Sequence, residues 1–133
     1  MALLGRRALE AGASLHIMTS AFDIAHDLMM PVLEEGRLRK AILCLCPFSA
    51  RAILLPLFIC GIQGYLIEYA SGNCGDYQEW LLADRGVKRE RTTFCPEVYL
   101  KIETILDSLA AKRGDKFNYR RFRREGNVYR PVE

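Results

Sequence analysis

Side chains able to do chemistry are few in this chain of 133 residues: two histidines, five cysteines and scattered carboxylates. His26 follows Asp23 by three positions, a spacing that puts an imidazole and a carboxylate on one face of a helix. A metal site would need a further ligand from His16 or Asp27, and neither spacing matches a zinc pattern. A hydrogen-bonded pair on an exposed face is the simpler reading. Cys44, Cys46, Cys60, Cys74 and Cys95 make an odd number with no CxxC spacing. Cys44 and Cys46 lie in an apolar run, and apolar burial raises a thiol's pKa rather than activating it. Five thiols are expected, with a Cys74–Cys95 bridge as the alternative. No nucleophile elbow or glycine-rich phosphate loop occurs. The expectation is a protein that is not an enzyme, with no catalytic residue, no cofactor and no metal.

The elements that would position these groups are organised around Arg51–Ala70, RAILLPLFICGIQGYLIEYA. From Ala52 to Ala70 only Gln63 and Glu68 are strongly polar. As one helix this stretch would be about 28 Å long, near the thickness of a bilayer's hydrocarbon core. The pattern therefore predicts an all-α protein with a single transmembrane helix over 49–71, capped by Ser49. Cys60, Gly61 and Gly64 would let a second helix approach closely, and Tyr65, Glu68 and Tyr69 would reach the interface. The alternative is a small soluble bundle in which Ala52–Ala70 is a buried central helix.

Arg37, Arg39, Lys40 and Arg51 flank the N-terminal end of this stretch, whereas Asp76 and Glu79 are the first charges after it. That bias places the N-terminal arm on the cytoplasmic or matrix side. The opening MALLGRRALEAGASLHIMTS has a mildly organelle-targeting look, without cleavage. Together these features predict a single-pass protein of the mitochondrial inner membrane, N-terminus in the matrix.

The arms divide as 1–48, a helical N-terminal arm; 72–114, a helical C-terminal arm; and 115–133, a basic tail. Ser20 and Asp23 form a capping box opening a helix that Pro31 kinks or ends and Gly36 terminates. AILCLC (41–46) reads as a turn of helix or as a strand. Asp76 and Glu79 open a helix over 76–85 that carries Trp80. The helix from 96 to 113 has Val98, Ile102, Ile105 and Leu109 as one apolar stripe, which needs a partner surface.

The tail interleaves Phe117, Tyr119, Phe122 and Tyr129 with Arg120, Arg121, Arg123 and Arg124. Arginine and tyrosine anchor protein interfaces, so Trp80, the 98–109 stripe and the tail are the expected docking residues. RNA or anionic lipid could also meet such a tail. The function expected is a non-catalytic accessory subunit of a multi-subunit membrane complex, an energy-transducing organellar one, acting in assembly. Its partners would be other subunits and the bilayer, nucleic acid being the weaker option. The alternative is a soluble RNA- or protein-binding component of the ribosome-associated kind. The formal net charge of +3 is too small to argue for nucleic acid by itself.

Overall fold

A computed structural model of the chain describes residues 2–18, 20–113 and 121–132. It is mixed α/β, not all-α, and has two sheets. Among the described residues no helix is long and apolar enough to cross a membrane. The single-pass inner-membrane placement and the transmembrane helix over 49–71 are therefore corrected.

The reason lies in how the apolar stretch is punctuated. Helix α4 runs Pro47–Ile59, thirteen residues, or about 20 Å at 1.5 Å per residue against the roughly 30 Å a span requires. It stops at a Schellman motif. Gly61 adopts φ +64, its N–H bonds Phe58 O at 3.1 Å, and Ile62 N–H reaches back to Leu57 O at 3.0 Å. Glycine enters this left-handed conformation without the Cβ clash other residues incur. The chain then turns extended as strand β3, Gln63–Glu68, where Tyr65 and Ile67 suit a pleated surface.

Two compact units make up the molecule. One comprises 18–95. It begins with a short helix α2 (Ala21–Asp23), opened by the reciprocal capping box: Asp23 N–H donates to Ser20 Oγ and Ser20 N–H to Asp23 Oδ2, both at 3.1 Å. A π-helical stretch, Ile24–Met29, leads into α3, Met30–Glu35. Pro31 has no N–H and its ring crowds the carbonyl four residues back. The wider i→i−5 turn preceding it, with Met30 N–H on Ala25 O, accommodates that ring. Gly36 ends α3 at φ +63.

Strand β2, Lys40–Leu45, then pairs in parallel with β3, with α4 as the crossover. Leu28, Leu43, Ile53 and Leu57 form the core, joined by Met18, Ile24, Leu38, Ala41, Leu45 and Ile62. Helix α5, Tyr77–Asp84, follows. Glu79 N–H bonds Asp76 Oδ1 and Gly75 N–H bonds Glu79 Oε2, both at 2.8 Å.

The other unit joins 1–17 with 96–133. Helix α1, Ala2–Glu10, packs against α6, Pro96–Arg113, and against β5, Val128–Pro131. Leu4, Leu9, Ala11, Ile102, Leu106 and Val128 are buried. The sheet runs β1 (Leu15–His16), β5, β4 (Phe122–Glu125), all antiparallel. The opening segment that suggested targeting thus supplies core residues.

Candidate functional site

The carboxyl ends of parallel strands are where α/β folds usually place their sites. Here β2 runs out at Leu45 and hands over to Cys46, which caps α4 with its side chain. Cys46 Sγ accepts from Ser49 N–H at 3.4 Å, and the Cys46 thiol donates to Ser49 Oγ at 3.2 Å. Trp80 Nε1–H also donates to Ser49 Oγ, at 3.1 Å. A hydroxyl oxygen accepts twice and retains its own proton, so Ser49 can turn that proton toward a Cys46 thiolate. Tyr77 stacks on Trp80, centroids 5.9 Å apart, and Phe48 tilts against both rings.

Cys74, in the loop after β3, lies beside Cys46, and its backbone and side chain both favour the Cys46 thiolate. The two thiols differ in acidity. Burial pushes Cys46 up, yet the Ser49 bonds and the neighbouring Cys74 outweigh it and its pKa is lowered. Cys74 is raised by burial and by the neighbouring Cys46, with Lys88 acting the other way. Cys44, further inside, is raised to about 11 by desolvation. The apolar run therefore acts as anticipated at Cys44 and not at Cys46, where the helix cap intervenes. Cys74 is a free thiol, so the bridge to Cys95 is not formed.

Tyr69 closes the same end of the sheet, donating to Cys44 O at 2.6 Å and tilting against Phe94. Lys88 Nζ lies 5.9 Å from the Tyr69 ring centre and donates to Gly72 O and Thr92 Oγ1. His26 and Asp23 do not form the pair read from their spacing; His26 Nδ1 lies 2.8 Å from Asp27 Oδ1, and its ring stacks on Phe22.

Cys60, Gly61 and Gly64 do not share a helix. Cys60 is the C-cap of α4, Gly61 the turn, and Gly64 lies in β3. Gly64 does allow a close approach, but of strand β2: a Cβ there would lie 1.8 Å from Ala41 O. Of the α6 stripe, Ile102 is buried and Val98 and Ile105 half-buried, while Leu109 remains exposed. Arg7 reaches α6 through Glu103 at 3.1 Å and Asp107 at 3.6 Å. The stripe thus has cover within its own unit.

Among the tail residues, Phe117, Tyr119 and Arg120 lie outside the described residues. Arg121, Phe122, Arg123 and Arg124 are exposed, with Tyr129 half-buried. Arg124 lies 5.4 Å from the Tyr129 ring centre, and Phe122 tilts against Tyr129. Arg123 and Arg130 both pair with Glu125. These arginines are partly engaged inside the hairpin, which thins the charge on offer to a phosphate backbone.

An unexpected apolar surface belongs to the stretch read as a span. Leu54, Leu55, Phe58 and Ile59 of α4 are exposed, Phe58 at 82%, as are Tyr65 and Leu66 of β3. Parallel sheets are usually covered and seldom as small as two strands. Among the described residues β3 forms a ladder with β2 alone, leaving its other edge open. The signal in the sequence is Gly61 itself, a helix stop followed by Tyr65 and Ile67, residues that favour strands. No protein-family model matches the chain, and comparison with curated proteins and with solved structures finds no match.

Proposed function

We propose that this chain is a non-catalytic protein-interaction component that assembles through strand β3 and the outer face of α4. One observation carries the reading: a strongly apolar 41–70 segment, too interrupted to span a bilayer, folds as a two-stranded parallel βαβ with its edge strand and much of its helix uncovered. Exposed apolar patches of this kind mark interaction sites, and an open strand edge templates pairing with another chain.

The occupant that fits is a second copy. A twofold axis normal to the sheet, passing through Leu66, would pair β3 with its own copy antiparallel. Leu66 then meets Leu66 of the copy, and Tyr65 meets Ile67 twice, an aromatic–β-branched pairing that favours sheets. Glu68 falls opposite Gly64, so no like charges meet. The same axis keeps both α4 helices on one face of a four-stranded sheet, where their apolar residues shield one another.

Directly opposed residues in an antiparallel pair have Cα atoms about 4.5–5.5 Å apart, inside disulfide range. Leu66→Cys should therefore give a covalent dimer on mild oxidation, well above the wild-type background. Gln63→Cys, off the axis, should not. Equal cross-linking of both variants, or none above wild type, would refute this arrangement.

A further inference from the structure

We propose that Cys46 and Cys74 form a peroxide-responsive dithiol, closing to a disulfide at the carboxyl end of the β2–β3 sheet. The inference does not depend on how the chain assembles. It rests on a cluster drawn from three places in the fold: Cys46 at the cap of α4, Cys74 in the loop after β3, and Trp80 on α5, with Ser49 between Cys46 and Trp80.

A thiolate is the reactive form of cysteine. Cys46 has three local stabilisers for that form: the Ser49 N–H, the Ser49 hydroxyl and the Cys74 contacts. Trp80 holds the Ser49 oxygen by donating to it, which leaves the hydroxyl proton available to sulfur. Cys74 keeps its own proton more firmly. An acidic thiol beside a second, protonated one is the division of labour between an attacking and a resolving cysteine. Cys46 is only 6% exposed, which selects a small oxidant over a bulky disulfide.

Hydrogen peroxide meets that requirement. The Cys46 thiolate attacks one peroxide oxygen; the S–O bond forms, the O–O bond breaks, and hydroxide leaves, taking the proton the thiol lost to become water. Cys74 then loses its proton, and its sulfur attacks Cys46 Sγ. The S–S bond forms, the S–O bond breaks, and the second hydroxide leaves as water with that proton. Two thiols have lost two electrons and one peroxide has become two waters.

The test uses the full chain, reduced and then treated with hydrogen peroxide, with peptides mapped by mass spectrometry. Cys44 and Cys60 are replaced (C44A/C60S), because trypsin leaves each in a peptide with Cys46 or Cys74. The expected product is a Cys46–Cys74 linked peptide that dithiothreitol releases. In Cys74→Ser the link is lost, and Cys46 instead accumulates the dimedone adduct of a sulfenic acid; Cys74→Ala gives the same result if folding is intact by circular dichroism. A Cys74–Cys95 link, or failure of Cys46 to oxidise in either Cys74 variant, would overturn the proposal.

Discussion

Gly64 and Ala41 are set so close across the β2–β3 ladder that a Cβ on Gly64 would lie 1.8 Å from the Ala41 carbonyl oxygen. The obstructing atom is backbone, so no side-chain rotation relieves it. Gly64→Ala should separate the strands and destabilise the unit by about 1–3 kcal/mol or more, the usual range for overpacking. Gly61→Ala is a different case. Nothing lies within 4 Å of its Cβ position, and the cost comes from holding alanine at positive φ, about 1–2 kcal/mol. Urea denaturation of the two variants distinguishes a contact from a conformational penalty.

Burial on α4 separates two kinds of apolar residue. Ile53 is buried in the Leu28–Leu43–Leu57 core, so Ile53→Ala should cost about 2–5 kcal/mol. Phe58→Ala removes a ring that is almost wholly exposed in the single chain. Its effect on the stability of the isolated chain should fall within about 0.5 kcal/mol, while its effect on self-association should be large. Denaturation measured at low and high protein concentration checks both.

The α5 cap offers a local test. Asp76 Oδ1 accepts the Glu79 N–H at 2.8 Å, satisfying one of the helix's first unpaired donors. Asp76→Ala should lower stability by about 1 kcal/mol, and Asp76→Asn much less. Because α5 carries Trp80, the alanine variant should also shift the tryptophan fluorescence.

Alkali should weaken the fold. Tyr69 is raised to about 12 by burial, with the Cys44 and Cys46 sulfurs adding to it, and Cys44 to about 11 by burial. Both bind their protons more tightly folded than unfolded, so their contribution is complete below the unfolded values and is lost as pH rises through the folded ones. Cys74 acts in the same direction and Cys46 in the opposite one. Stability measured between about pH 8 and 12 should therefore fall, and the fall should flatten in Cys44→Ala and Tyr69→Phe.

Local signals in the sequence translated directly into structure. The capping box at Ser20, the Asp76 N-cap (whose Glu79 carboxylate takes the Gly75 N–H rather than that of Asp76), the stop at Gly36 and the Pro96–Arg113 helix all follow from nearest-neighbour chemistry. The long apolar run did not, because hydropathy alone does not separate a span from an apolar βαβ unit. Gly61 and the β-favouring residues after it carry the distinction, and their effect depends on β2 being in place to pair. The Cys46–Cys74 contact was not legible either. It joins residues 28 apart in sequence through the parallel register of β2 and β3, a long-range arrangement that spacing does not reveal. Leu4 and Leu9, read as part of a targeting segment, became core residues for the same reason: their cover comes from 96 onward.

The most direct measurement is the mass in solution of the full chain and of Leu66→Lys, by light scattering at micromolar concentration. The expected result is a dimer for the wild type and a monomer for the variant, since lysines would face each other across the twofold axis, with Leu82→Lys on exposed α5 still dimeric. A monomeric wild type, or a Leu66→Lys chain that remains a dimer, would contradict assembly through β3.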